Sequence, residues 1–311
     1  MADAADPSPS TQASAARSDG EAPDREPRKA RMRPAERATA VDQALAPVRV
    51  TGGINARFVR DGTRTVIASI AERGGYRLTR PSTFAPHLEA LQVNTGGGIA
   101  GGDRVEMRYE LGPGADLAHT TSSAERIYRT PGAPAKLELS LVLAPGARLD
   151  WLPQQTIVYA GARLERSIEV DMPEDSRLLM VEAITFGRPS SVEGMVPVSL
   201  NDQWRVRRGG RLVFAEAARV SGEIAETLAR PAVAGGGRAA ALVLLVAANA
   251  SELVEPLRRV IENELCETGV SAWDGLLVAR ALARRPGDLI ATLARAIPVL
   301  SGRAVPRVWA S

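Results

Sequence analysis

The run with the densest chemical promise is Asn94 to Asp103, NTGGGIAGGD, which places five glycines in ten positions. Gly96, Gly98 and Gly101 satisfy the G-x-G-x-x-G spacing by which a dinucleotide-binding loop brings backbone amides close to a pyrophosphate. That chemistry needs a helix opening directly after the loop, because the helix N-terminus holds the anion. The next residues are instead RVEMRYEL, where Val105, Met107, Tyr109 and Leu111 alternate with charges. A period of two is a strand pattern. No Gly-Lys-Ser/Thr comes after the glycines either, so a Walker loop is also excluded. The glycines Gly96, Gly97, Gly98, Gly101 and Gly102 are therefore predicted to form a structural bend between two strands, with Asp103 at its far edge.

The other reactive residue types are scarce. Cys266 is the single cysteine, and His87 and His119 are the only histidines. One thiol excludes an internal disulfide framework and a multi-cysteine metal site. Cys266 lies in ENELCETG with no histidine nearby in sequence, which favours a packed thiol over a nucleophile. Acid–base chemistry by paired carboxylates, as in a β-solenoid hydrolase or lyase, needs two carboxyls at a defined separation, and the sequence places no such pair together. The chain has 39 basic and 36 acidic residues, interspersed along its length, so a nucleic-acid footprint is not expected despite the basic pI. No run of 18 apolar residues occurs, so a membrane span is not expected.

These residues must be positioned by a mainly β body. The first 45 residues are rich in Ala, Pro, Ser, Asp and Arg, cannot bury enough apolar surface to offset ordering entropy, and are expected to form a disordered tail. That tail has no apolar signal core and many acidic residues, so a cytoplasmic location is the expectation. Residues 46–311 are expected to form a single domain. Asp61-Gly62 is a hairpin signal. Leu137, Leu139, Leu141 and Leu143 alternate as the first strand does, and RLDWLPQQTIVYAG, RSIEVDM and RLLMVEAITFG add further strand-like pieces. LGPGADL recurs as LAPGARL 32 residues on, and VDMPEDSRL repeats the strand, proline turn, strand layout. Self-similarity near a period of 30 predicts a β-helix-like stack, with a two-sheet sandwich as the competing architecture. Two helices are expected near the C-terminus. In the first, Leu253, Leu257, Val260, Ile261 and Leu265 share a face, Pro256 sits in the first turn and Gly269 is the stop. In the second, capped by Asp288, Leu289, Leu293, Ile297 and Leu300 form a face that Pro298 should shorten. GLLVARALARR, between them, fits a strand or a short helix.

NTGGGIAGGDRVEMRYELGPGADLAHTTSSAERIYRT resembles the glycine-rich signature and adjoining segment of the UreD (UreH) family of urease accessory proteins. WLPQQTIVYAGARLERSIEV resembles the family's next block, FGRPSSVEGM its Gly-Arg-Pro motif, and VPRVWAS its Pro-Arg-Ile-Trp ending. In the third block Val192 stands where the family has glycine, while Glu193 remains. The resemblance runs from about Val50 to Trp309. It implies a β-helix-like body and a non-enzymatic role: a scaffold in nickel delivery that joins a UreF-like protein, a UreG-like GTPase and the urease apoprotein, and guides nickel along an interior path.

Such a path implies a transient nickel ion and no tightly bound cofactor. Two histidines and one cysteine suit weak binding, because tight nickel sites use imidazole or thiolate, whereas carboxylates and water release the ion. Asp103, Glu182 and Glu193 lie in or beside the resembling blocks and are the candidate path residues, together with His119. For the carboxylates the competing reading is pairing with an arginine, with Arg104, Arg177 and Arg188 as candidates; for His119 it is a surface or satisfied histidine. Arg126, Tyr128 and Arg129 are of types that dominate interface hot spots and are candidates for partner contact, against a solvated strand edge. Trp309 is a candidate for the same role, against anchoring the last strand.

Overall fold

A computed structural model describes residues 49–81, 85, 87–187 and 197–309. The tail expected over residues 1–45, Arg188, and Glu193 with most of its block lie outside the described residues. Strands dominate, as the sequence predicts. β1 (Thr51–Asp61) and β2 (Arg64–Arg73) form the hairpin signalled by Asp61-Gly62. β3 (Tyr76–Thr79) and β4 (Leu88–Asn94) lead into the glycine-rich segment. Three rungs then wind in succession. The first is β5 (Arg104–Leu111), β6 (Asp116–Thr121) and β7 (Glu125–Ile127). The second is β8 (Ala135–Leu143), β9 (Arg148–Leu152) and β10 (Thr156–Val158). The third is β11 (Arg163–Met172) and β12 (Arg177–Phe186).

Corresponding strands of successive rungs pair in parallel. In one sheet the order is β14-β13-β11-β8-β5-β1-β2, where β13 is Val198–Arg208 and β14 is Arg211–Gly222. The inner five strands of that sheet run parallel, and the outermost strands, β2 and β14, turn antiparallel. In the second sheet β4, β6, β9 and β12 run parallel, with β7 and β10 completing a short third side. β15 (Ala239–Val246), β17 (Leu276–Ala283) and β16 (Cys266–Trp273) extend this sheet antiparallel beyond β12. The sequence repeat is the rung repeat: Leu111 pairs with Leu143, Asp116 with Arg148, and Arg148 with Arg177, and the Gly114 amide donates to the Pro145 carbonyl at 2.9 Å.

Alternation decides which side chains fill the space between the sheets. Val105, Met107, Tyr109 and Leu111 point inward, stacked on Leu139, Leu141 and Leu143 and then on Leu164, Ile168 and Val170. Each such leucine contributes roughly 1.5–3 kcal/mol relative to an exposed one. β12 reads apolar on both faces because a second core lies behind it. There, α2 (Val254–Ile261) and α3 (Pro286–Ser301) cover Leu179, Val181, Val243, Leu245 and Leu277 with Leu257, Ile261, Leu289, Leu293 and Ile297. A short helix, α1 (Ile224–Ala229), packs Ile224 and Leu228 into the first core.

The helix boundaries differ from the pattern reading. The first C-terminal helix stops at Ile261, short of Leu265, which is exposed. Asn263 ends it: its Oδ1 accepts the amides of Leu265 (2.9 Å) and Cys266 (3.1 Å), a local bond that competes with helix continuation. Cys266 and Gly269 then belong to β16, and GLLVARALARR forms β17. The second helix runs through Pro298 to Ser301. Its last turn is held from outside, because Arg177 and Arg148 donate to the carbonyls of Leu300 and Ser301, and Gly302 supplies a left-handed cap.

Candidate functional site

The glycine segment is a bend, and β5 comes directly after it with no intervening helix. Gly97 and Gly102 adopt positive φ (75° and 83°). At Gly101 an added Cβ would sit 2.2 Å from Thr130, and at Gly98 it would sit 2.4 Å from the Tyr128 ring. The bend lies on the Arg126–Thr130 segment: the Ile99 amide donates to Arg126 O (2.7 Å), the Tyr128 amide donates to Ile99 O (2.9 Å), and the Tyr128 hydroxyl donates to Gly97 O (3.0 Å). Arg126 is half-buried, Tyr128 is partly exposed beside Tyr159, and Arg129 is exposed. Asp103 locks the bend to the start of β1. Its two carboxylate oxygens accept the amides of Val50 (2.9 Å) and Ala100 (2.8 Å). That is a structural task, and it occupies both oxygens.

Glu182 points into the space between the sheets, where it is buried. Its partner is none of the three arginines considered from sequence; it is Arg166 on β11, whose Nη1 lies 2.6 Å from Glu182 Oε2. The same guanidinium grips Asp202 on β13 through Nε (2.9 Å) and Nη2 (2.6 Å), and Arg166 and Asp202 are direct cross-strand neighbours. Two carboxylates thus share one cation. Burial opposes charge on Arg166, but Asp202 and Glu182 outweigh it and hold its pKa above the ordinary value. Burial pushes the Glu182 carboxyl up against the pull of Arg166, with Asp202 adding to the rise.

Trp151 links this triad to His119. Its Nε1 donates to Glu182 Oε1 at 3.3 Å, while its ring stacks flat on the imidazole at 3.7 Å. His119 is fully buried, with Nε2 3.3 Å from Gln92 Oε1. Burial pushes its pKa down to about 3, so the ring is neutral at physiological pH. The structure therefore brings His119 and Glu182 together through Trp151, and it places Asp103 in the bend. Trp309 does not face solvent: it is 5% exposed in a 3-10 turn (Arg307–Trp309) and donates from Nε1 to Leu152 O at 3.1 Å. It fastens this segment to β9 through a turn and not a strand.

Three cavities share lining residues. A small one of about 60 Å³ is lined by Tyr76, Glu125, Trp151, Arg166 and Glu182. A second of about 160 Å³ lies across the Arg166–Glu182 pair and reaches Asp202, Glu216 and Arg280. Arg280, ion-paired with Glu216, also lines a wide groove of about 680 Å³ between Phe214 on β14 and Trp273 on β16. In the small cavity, Glu125 accepts from Asn94 Nδ2 (2.9 and 3.2 Å). Burial pushes its pKa up to about 7, against the hydrogen bonds from Asn94 and the Arg126 amide, the Arg126 charge, and the hydrogen bond from Tyr76.

A separate cluster surrounds Asp150, which is fully buried. Arg177 (3.1 Å), Arg148 (3.3 Å) and Arg303 (3.2 Å) converge on its carboxylate, and Arg303 also pairs with Asp116 at 2.5 Å. Because Arg148 and Arg177 also hold the last carbonyls of α3, this cluster staples the helix end to the rungs.

Sequence reasoning missed Arg166, Asp202, Glu125 and Asp150. The first two carried a signal. Arg166 shares the phase of Leu164, Ile168 and Val170, and Asp202 that of Leu200, Trp204 and Val206, so each is a charge in a buried register. Among the described residues no group of three or more His, Cys, Asp or Glu side chains converges to hold a metal, and no helix is long and apolar enough to cross a membrane.

Residues 50–310 match the protein family described as UreD urease accessory protein. Relatives named Urease accessory protein UreD include one from Rhodopseudomonas palustris (strain BisA53), 40% identical over 91% of this chain and 98% of its own length. Another, from Methylobacterium sp. (strain 4-46), is 41% identical over 82% of this chain and 92% of its own. A third, from Xanthobacter autotrophicus (strain ATCC BAA-1158 / Py2), is 42% identical over 80% and 86%.

Proposed function

Because the chain belongs to the UreD family of urease accessory proteins, we propose that it acts in the cytoplasm as a non-catalytic scaffold that joins a UreF-like protein, a UreG-like GTPase and apo-urease, and passes nickel through its interior. The observation that supports this reading is a set of neighbouring cavities lined by carboxylates. Glu216, Asp202 and Glu182 line the middle cavity, Glu182 and Glu125 line the small one, and the groove at Phe214 and Trp273 shares Arg280 with the middle cavity. These are hard oxygen donors, three of them paired with arginines and Glu125 with Asn94, which suits an ion that must be released. His119 is not in this series as a ligand; it is neutral and supports Trp151 and Gln92 from behind the wall. The paired-carboxylate hydrolase gains nothing from Glu182 and Asp202, since Arg166 holds both.

The test is co-expression of the chain with the candidate partners and apo-urease, scoring nickel content and urease activity. Omitting the chain should abolish activation. Asp202→Asn combined with Glu125→Gln should lower it while leaving the partner complex intact. Full activation by the double variant would end the path reading, and full activation without the chain would end the accessory role.

A further inference from the structure

The surface around the glycine bend carries arginines that no carboxylate answers. Residues 94–103, 126–136 and 159–164 meet there: the Tyr128 amide donates to Ile99 O (2.9 Å), the Thr130 amide donates to Gly161 O (3.0 Å), and an isolated bridge joins Arg129 to Ala162. These three segments contain one acidic residue, Asp103, which is buried with both oxygens on backbone amides. Glu125, just before the second segment, is held inward by Asn94 and faces the charge of half-buried Arg126. Arg49, Arg129 and Arg163 are exposed. Arg49 and Arg163 donate to backbone carbonyls, those of Gly101 and Gly132, and Arg129 makes no side-chain hydrogen bond or ion pair among the described residues. On the solvent side of the first sheet, by contrast, the signs are interleaved, as where Arg205 and Arg207 pair with Glu169.

Tyr128 stands among these arginines, 38% exposed. Its hydroxyl donates to Gly97 O (3.0 Å), and its ring lies 5.5 Å from that of Tyr159. Only glycine fits beneath it at position 98, where an added Cβ would sit 2.4 Å from the ring. The ring is thus fixed before any partner arrives, so docking on it costs little side-chain entropy. A rigid, exposed tyrosine among arginines is the composition of an interface hot spot, and the sign of those charges sets the sign of what they meet.

We propose that Tyr128, with Arg49, Arg129 and Arg163 around it, is a docking surface for an acidic face of a partner protein, one where Asp or Glu side chains surround an apolar spot that takes the tyrosine ring. The surface rests on the reading of the chain as a scaffold that joins other proteins. A nucleic acid fits less well, because these cations would displace only about three counterions, too few for firm binding at physiological salt.

The experiment immobilises the full-length chain and passes over it, separately, purified apo-urease, the UreF-like protein and the UreG-like GTPase, reading association and dissociation rates. Arg129→Glu is the informative variant, because Arg129 has no side-chain bond to break. It should weaken binding of at least one of the three about tenfold or more, with Arg129→Lys close to the wild type. Tyr128→Ala should weaken the same partner by a similar factor, mainly through faster dissociation. Arg219→Glu, an equal change of charge on the exposed side of β14, should leave that affinity unchanged. Raising the salt from about 0.1 M to about 1 M shortens the screening length from about 10 Å to about 3 Å, and should slow association of the wild type several-fold and of Arg129→Glu much less. Unchanged affinity of Arg129→Glu and Tyr128→Ala for every partner that the wild type binds, or an equal loss in Arg219→Glu, overturns the surface; loss of urease activation on omitting the chain would still keep the accessory role. Binding to none of the three, or binding to a single-stranded oligonucleotide that Arg129→Glu abolishes while the protein affinities persist, overturns it as well.

Discussion

Glu125→Gln should change how stability depends on pH. The Glu125 carboxyl titrates at about 7 in the folded protein, against an ordinary value of 4.5, chiefly because burial disfavours its charge. Between those values the folded state holds a proton that the unfolded chain has released, so stability falls as pH rises through this window and stays lower above it. At about 1.36 kcal/mol per tenfold change in acidity, the loss amounts to roughly 3 kcal/mol. Glutamine fits the same space, can still accept from Asn94, and does not titrate. Urea unfolding followed by tryptophan fluorescence should therefore show the variant gaining roughly 2–3 kcal/mol on the wild type between about pH 4.5 and pH 8. Parallel stability curves for the two proteins would mean that Glu125 is better solvated than its surroundings indicate, and would remove it as a carboxylate charged only above neutrality.

Asp103→Ala strands the amides of Val50 and Ala100 and should cost roughly 2–4 kcal/mol in thermal or urea unfolding, with Asp103→Asn costing less because one acceptor survives. Gly101→Ala forces a Cβ against Thr130 and should lower stability by roughly 1–3 kcal/mol; Thr130→Gly in the same chain should recover most of it, which denaturation of the double variant checks. His119→Phe keeps the stack on Trp151 but removes a pH dependence: the unfolded chain binds a proton at about 6.5 that the buried ring refuses, so between about pH 6.5 and pH 5 the wild type should lose roughly 2 kcal/mol of stability in urea unfolding that the variant retains.

The stacked architecture was legible because two independent periodicities agree. Alternation marks Val105–Leu111 and Leu137–Leu143 as strands, and the 32-residue repeat sets one above the other, where their register places them. The bend was legible because a strand pattern succeeds the glycines. What the sequence hid was partnership. Nothing local to Glu182 names Arg166 as its partner, because the two lie on different sheets and meet only when the rungs close. Trp309 was ambiguous for the same reason, since its acceptor, Leu152 O, is distant in sequence. The two helix ends differ from the pattern for different reasons: the local bonds to Asn263 stop the first helix early, while the distant Arg148 and Arg177 hold the last turn of the second beyond Pro298.

The antiparallel hairpins at the margins of the first sheet also limit growth. An array of identical unidirectional layers has no inherent length, and another molecule could extend it by laying down one more layer of the same polarity. Reversing the outermost segment on each side, as β2 and β14 do, removes the matching template, so the array ends where the chain's own sequence ends it.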